Sequence, residues 1–294
     1  MKISFYDFTF LELQAHLVEK GFSKFVARQL FNWVYKNQNL DQACWSNVSK
    51  KLKAYAFENF SFDLPEIVWS GLSSDGTRKF LLKLNDNETI ETVLIPAKER
   101  LTQCISSQVG CAIGCTFCHT GTQGLKRHLT AGEVTGQFLK LSIWLRENVH
   151  EEEKITNIVY MGQGEPLHNY ENVKKATINF LDDYAFGLGQ RRITLSTSGL
   201  VPKIKMLHDF PPINIAISLH SAKNDVRTEL MPINKAYDIS RLFEAIRTIP
   251  LKAHRRITYE YLLIDELNDQ ESDIDALCEL LNRKESKINL IPFN

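Results

Sequence analysis

Long hydrophobic runs are missing from this chain. Nowhere do about 18 apolar residues follow one another, so no membrane-spanning helix is expected. The first residues do not read as a secretory signal either, because Asp7 and Glu12 interrupt any apolar stretch there. An excess of one charge sign is also absent. Lys and Arg number 35 and Asp and Glu 35, so bulk electrostatics demands neither a nucleic acid nor an anionic surface. Local basic clusters remain: Lys126-Arg127-His128, Arg191-Arg192, and Lys252 with His254, Arg255 and Arg256. Taken singly, each reads as a solvated face. There is no internal repeat, no low-complexity tract and no Gly-rich dinucleotide fingerprint. Cysteine is scarce, with six in 294 residues, yet Cys104, Cys111, Cys115 and Cys118 fall close together while Cys44 and Cys278 stand apart. A disulfide scaffold would spread them through a small secreted fold. This clustering points instead to metal or redox chemistry in a reducing, cytoplasmic setting.

What is present suffices for a sizeable core, since 44% of the residues are apolar. Residues 1–62 read as a helical accessory domain. Phe10, Leu13 and Leu17, then Phe22, Val26, Leu30 and Trp33, recur at helical spacing. Gly21-Phe22-Ser23 breaks that pattern, with Ser23 as the expected N-cap of the next helix. Phe31, Trp33 and Tyr35 are expected in the core. Residues 63–99 read as a β-hairpin extension, with turns at Ser74-Asp75-Gly76 and Asn85-Asp86-Asn87. From residue 100 to 294 strands alternate with helices. The expected strands are 103–107, 155–161, 192–197, 213–219, 256–263 and 287–292; the expected helices are 130–149, 170–183, 200–208, 238–248 and 270–283. Thr130 and Glu133 form a capping-box signature before the first helix. Such alternation implies a parallel sheet. The expected fold is therefore α/β: an open (β/α)6 partial barrel preceded by the helical domain and the hairpin extension.

The chemistry is concentrated in Cys111-Ala-Ile-Gly-Cys115-Thr-Phe-Cys118. Three soft ligands on one short loop can each bind one iron of a [4Fe–4S] cluster and leave the fourth iron open to a substrate or cofactor. The competing reading is zinc, with His119 or a distant group as fourth ligand; zinc motifs usually come as two paired halves, and no second half exists here. CxxxCxxC is the signature of radical S-adenosylmethionine (SAM) enzymes. Other unusual residues follow the expected strands, at the end where barrel sites are built. Met161-Gly-Gln-Gly-Glu-Pro166 follows the second strand, Ser196-Thr-Ser-Gly199 ends the third, Ser218-Leu-His220 ends the fourth, and Asn294 follows the sixth. Each alone could be a turn or a strand end. Their shared rim is what makes them candidates.

With these motifs the chain resembles the RlmN/Cfr family of radical SAM RNA methyltransferases, and its RlmN branch more than Cfr. The resemblance runs from about residue 22 to 294. It rests on Gln29-Leu-Phe-Asn-Trp-Val-Tyr35, Glu91-Thr-Val-Leu-Ile-Pro96, the stretch from Cys104 through Cys118-His-Thr, Met161-Gly-Gln-Gly-Glu-Pro-Leu167, Leu195-Ser-Thr-Ser-Gly199, Ser218-Leu-His220 and Ile288-Asn-Leu-Ile-Pro-Phe-Asn294. It implies a radical SAM fold, a [4Fe–4S] cluster held by Cys111, Cys115 and Cys118, and two SAM molecules per turnover. Gly164 and Glu165 would meet the methionine end of SAM. Ser196 would reach its ribose or carboxylate, Ser218, Leu219 and His220 would line the nucleoside, and Asn294 the adenine end. Glu91 would be the proton-accepting carboxylate and Cys104 the resolving cysteine. On their own, Cys104 reads as a small buried hydrophobe and Glu91 as an outward strand residue.

The implied reaction is methylation of adenosine C2 in 23S rRNA and tRNA. That carbon is electron-poor and is no nucleophile for ordinary SAM chemistry. The family is understood to use a methyl-carrying cysteine near its C-terminus, a radical drawn from a second SAM, and release of the RNA adduct as Cys104 forms a disulfide. The implied partners are the two RNAs and a low-potential electron donor such as flavodoxin or ferredoxin; no membrane is involved, and a monomer is expected. The chain departs from the pattern in stopping at Asn294, directly after the sixth expected strand, before the methyl-carrying cysteine. Neither Cys44 nor Cys278 matches that residue, and Cys278 is expected in a helix core. The expectation is thus a truncated member that binds a cluster but does not methylate RNA. The alternatives are a Cfr-like adenosine C8-methyltransferase and a catalytically inactive RNA-binding remnant.

Overall fold

The computed structural model of the chain describes residues 2–150, 153–252 and 255–293. Asn294 and His254, both singled out above, lie outside the described residues. The chain divides into two compact units. The first comprises Met1–Ser106, Leu129–Ile158 and Glu171–Arg192; the second comprises Ser107–His128, Val159–Tyr170 and Ile193–Asn294.

In the first unit the N-terminal region is helical, as expected: α1 (Phe10–Glu19), α2 (Val26–Phe31) and α3 (Lys50–Asn59). Helix α1 starts from a reciprocal cap. The Glu12 backbone N–H donates to Thr9 Oγ1 at 3.3 Å, and the Thr9 N–H donates to Glu12 Oε2 at 2.9 Å. Such a cap is worth about 1 kcal/mol. Strands β1 (Ile3–Ser4) and β2 (Phe60–Ser61) pair in parallel and tie the two ends of this region together. Phe5, Tyr6, Phe31, Tyr35, Trp45 and Phe60 are buried in one aromatic core. Trp33 is only half-buried, because its indole N–H reaches Asn47 Oδ1 at 2.6 Å. Ser23 does not cap α2. The cap position is Phe25, whose N–H lies 3.5 Å from Ser23 Oγ, so the turn before the helix absorbs Ser23 instead.

Four strands form an antiparallel meander in the same unit: β3 (Glu66–Leu72), β4 (Arg78–Lys83), β5 (Thr89–Ala97) and β6 (Arg100–Cys104). Phe80 and Leu82 on β4, and Ile90, Thr92 and Leu94 on β5, alternate inward. The expected strand 103–107 is displaced. It begins at Arg100 and ends at Cys104, because Ser106 leaves the ladder for a side chain. The buried Gln137 amide accepts from the Ser106 N–H and donates to its carbonyl, both at 2.9 Å. Gln137 belongs to α4 (Ala131–Asn148), which opens on the expected capping box: Thr130 N–H to Glu133 Oε2 at 3.0 Å and Glu133 N–H to Thr130 Oγ1 at 3.1 Å. Helix α5 is Tyr170–Leu181.

In the second unit a short antiparallel pair, β7 (Gln108–Gly110) and β8 (Leu125–His128), brackets the three-cysteine loop. Strand β9 (Asn157–Tyr160) carries the division between the units. Then β10 (Ile193–Thr197), β11 (Asn214–Ser218), β12 (Ile257–Leu263) and β13 (Ser286–Pro292) lie side by side in that order, all parallel. The buried runs Leu195–Ser196–Thr197 and Ile215–Ala216–Ile217 are what a sheet covered on both faces requires. Helices α6 (Asn224–Leu230), α7 (Ile239–Ile246) and α8 (Glu271–Leu280) follow the strands. Helix α6 was not anticipated, and the expected helix 200–208 is a single turn, Val201–Ile204, started at Pro202 and followed by a 3-10 turn before Pro211 and Pro212. Cys278 is exposed, not core. Leu277 takes the inward face of α8, and the next residue is rotated by about 100° away from it. Among the described residues, no helix is long and apolar enough to cross a membrane.

Candidate active site

The second unit contains a cavity of about 260 Å³ at the C-terminal ends of its parallel strands. Cys111, Cys115 and Cys118 line it together with Glu165, Ser196, Ser218 and His220. The loop is shaped by backbone. Gly110 sits at φ +75°, and a Cβ there would lie 1.8 Å from the Gly124 carbonyl oxygen, which accepts the Cys111 N–H at 3.0 Å. Further on, Thr116 donates through its N–H to the Leu230 carbonyl at 3.0 Å, resting the loop on the end of α6.

The motif after β9 is held from below by Gln108. Its Oε1 accepts the Glu165 N–H at 2.8 Å, and its Nε2 faces His128 Nδ1 at 2.9 Å. Gly164 lies at φ +98° directly against this side chain; a Cβ there would stand 2.5 Å from Gln108 Cβ. Only glycine fits. Glu165 is buried, with Oε1 accepting the Leu167 N–H at 3.0 Å and Oε2 accepting the Ser198 N–H at 2.7 Å. Burial pushes its carboxyl above the ordinary range in spite of those bonds. A cationic ligand beside it would restore full ionisation.

His220 is buried in the left-handed region at φ +57°. Its Nδ1 accepts the Leu262 N–H at 3.1 Å, which assigns the ring proton to Nε2. Burial, helped by the Arg227 charge, depresses it to about 4, so the ring is neutral at pH 7. The Phe117 ring meets it edge-on at 4.8 Å. Leu219 does not line the cavity; it is buried, and its N–H donates to the Glu260 carbonyl at 3.0 Å. Residues that the sequence did not single out also line the cavity, notably Phe117, Tyr160, Met231 and Glu260. The one available signal was Glu260, the single charged residue of the largely apolar strand β12.

Glu91 and Cys104 belong to the first unit. Glu91 lies on β5 and pairs with Lys79 Nζ at 2.7 Å. Cys104 ends β6, and its carbonyl accepts from Thr92 Oγ1 at 2.8 Å. No disulfide joins any cysteines among the described residues.

The donor set can be tested against a metal. Among the described residues, no three His, Cys, Asp or Glu side chains converge closely enough to hold a single ion. Three thiolates on one short loop suit a cluster that takes one of them on each of three irons. Burial raises the Cys111 thiol and takes Cys115 up to about 12, so in the absence of a metal these two are held as thiols.

A three-cysteine loop, a buried carboxylate and serine-bearing strand ends around one cavity define a radical SAM enzyme. In agreement, the model of the radical SAM superfamily matches residues 105–278, and that of the ribosomal RNA large subunit methyltransferase N-terminal domain matches residues 3–59. A radical SAM methyltransferase from Sphaerobacter thermophilus superposes with a TM-score of 0.90 at 39% identity, covering 99% of this chain and 85% of that one. The dual-specificity RNA methyltransferase RlmN of Acidiphilium cryptum is 43% identical over 96% of this chain and 74% of its own length. A probable RlmN of Dictyoglomus turgidum is 44% identical over 98% and 82%. The chain belongs to the RlmN family of radical SAM methyltransferases. With the family come its cofactors, a [4Fe–4S] cluster and SAM.

Proposed function

We propose that this chain carries the SAM-cleaving core of an enzyme that methylates adenosine C2 in 23S rRNA and tRNA. The observation that carries this reading is the single cavity shared by Cys111, Cys115, Cys118, Glu165, Ser196, Ser218 and His220. The relatives' name, dual-specificity RNA methyltransferase, supports the substrate class. The match of residues 3–59 supports an RNA-handling role for the helical region 1–62.

Cys111, Cys115 and Cys118 would hold the cluster, which when bound supplies the single electron that reduces the SAM sulfonium. The chain's residues orient the cofactor. Glu165 takes the ammonium of SAM on a carboxylate already fixed by the Leu167 and Ser198 N–H groups. Gly164 lets backbone approach without a side chain in the way. Ser196 and Ser218 offer hydroxyls from adjacent strand ends to the ribose. Neutral His220 donates from Nε2, while Phe117 and Tyr160 exclude water from the nucleoside end. Glu91 would accept the proton removed from the substrate carbon, and Cys104 would form a disulfide with the sulfur of a methyl-carrying cysteine, a role that neither Cys44 nor Cys278 matches, as the bond from that sulfur to the methylated adenosine breaks and frees the RNA. The electron comes from a low-potential donor of the flavodoxin or ferredoxin class, in the cytoplasm.

The test is an anaerobic reaction of the reconstituted chain with SAM, reductant and unmodified rRNA or tRNA fragments, followed by digestion to nucleosides. 2-Methyladenosine supports the C2 chemistry and overturns the expectation that this chain, without a matching methyl-carrying cysteine, does not methylate RNA; 8-methyladenosine overturns the C2 part. 5′-Deoxyadenosine without methylated adenosine keeps the SAM-cleaving core and assigns the methyl carrier to residues outside these 294.

A further inference from the structure

Arg227, on α6, is the one fully buried Lys or Arg side chain among the described residues. Its Nη1 donates to Asn234 Oδ1 at 2.7 Å, and its Nη2 donates to the Ser198 carbonyl at 2.8 Å and to the Ser218 carbonyl at 3.3 Å. Its Nε–H finds no acceptor. Every acceptor it does find is a neutral amide oxygen, and no carboxylate pairs with it. A buried guanidinium without a counter-ion is costly, by several kcal/mol in general. Something anionic must be present in the working state.

The surroundings say what that is. One turn beyond Arg227, the end of α6 carries the cysteine loop through the Thr116–Leu230 bonds at 3.0 and 3.4 Å. The Met231 N–H is bonded to the Arg227 carbonyl at 2.7 Å, and Met231 lines the same cavity as the three cysteines. Gly199 leaves the space for the guanidinium, since a Cβ there would lie 3.3 Å from Nη2. Neutral His220 adds no second positive charge. The carboxyls that line the cavity, Glu165 and Glu260, are both raised by burial and engaged elsewhere, Glu260 with Asn289 Nδ2 at 2.6 Å.

We propose that Arg227 is the counter-ion of the cluster: a positioning residue whose buried positive charge, clamped between the Ser198 and Ser218 strand ends, sets the reduction potential of the group held by Cys111, Cys115 and Cys118. This rests on the cluster assignment made above. Three thiolates give the cluster a net negative charge, and reduction adds one more. A fixed cation beside it stabilises the reduced form more than the oxidised one and raises the potential.

The experiment is a spectroscopically monitored redox titration of wild-type, Arg227→Gln and Arg227→Lys proteins after anaerobic reconstitution, with iron and sulfide content and thermal melting measured on each. Arg227→Gln should take up iron and sulfide yet lose about tenfold in the reduced-to-oxidised ratio at a fixed potential, a fall of about 59 mV for a one-electron couple. Arg227→Lys, which keeps the charge but not the two-serine clamp, should stay near wild type. A wild-type potential in Arg227→Gln overturns the proposal. If Arg227→Gln does not fold, the isosteric Asn234→Asp, which sets a carboxylate against Arg227 Nη1, decides: a lowered potential upholds the proposal and a wild-type potential overturns it. A wild-type protein that takes up no cluster at all would instead overturn the cluster assignment beneath it.

Discussion

At position 164 there is no room for even one methyl group. The backbone there is left-handed at φ +98°, and a Cβ would stand 2.5 Å from Gln108 Cβ, the side chain that also holds the Glu165 N–H. Gly164→Ala should therefore displace the carboxylate and weaken SAM binding by tenfold or more, read by equilibrium dialysis, while iron content stays near wild type. His220 gives a pH signature. Its folded value of about 4 lies below the ordinary 6.5 of imidazole, so the unfolded chain takes up the proton first. Its contribution to stability is complete above about 6.5 and is lost as pH falls toward 4. Denaturant melts at pH 7 and 4.5 should differ by on the order of 2 kcal/mol from this residue. His220→Asn keeps an acceptor for the Leu262 N–H and tolerates positive φ, so it should flatten that dependence. At this scale the sequence was legible where chemistry constrains residue type. The cysteine spacing could be read directly, whereas the role of the Gly164-Glu165 pair came only with the family resemblance. Phe117, Met231 and Arg227 could not, since an aromatic, a thioether and one arginine among many basic residues carry no mark until the fold turns them toward one cavity.

Single elements differ in how closely they are tied to the site. The pair β7 and β8 closes the cysteine loop, and Gly110 passes so near the Gly124 carbonyl that Gly110→Ala must push the two strands apart. That variant should lose most of its iron and sulfide on reconstitution. Thr130→Ala removes one half of the α4 capping box and should cost about 1 kcal/mol of stability, read by thermal or denaturant melting, with iron content unchanged. Helix periodicity and that capping box made α1, α4 and α7 readable in advance, because an amphipathic stripe and a reciprocal cap are local facts. Strand β6 was misplaced by three residues at each end because its exit is decided by the Gln137 amide, thirty-one residues away from Ser106. Cys278 was misread for a related reason: one position along α8 separates a buried leucine from solvent.

For the whole molecule, the alternation of strand and helix after residue 100 gave the architecture, and the parallel order β10, β11, β12, β13 brings Ser196, Ser218 and His220 to one rim with the cysteine loop. On the proposed function, this rim holds a cluster which cleaves SAM. The most direct measurement is 5′-deoxyadenosine released by the anaerobically reconstituted chain with SAM and a low-potential reductant, beside the triple variant in which Cys111, Cys115 and Cys118 are alanine. Deoxyadenosine and stoichiometric methionine are expected from the wild-type chain, and neither product nor bound iron–sulfide from the variant. A wild-type chain that takes up zinc in place of iron and sulfide, and leaves SAM intact, would contradict the proposed function.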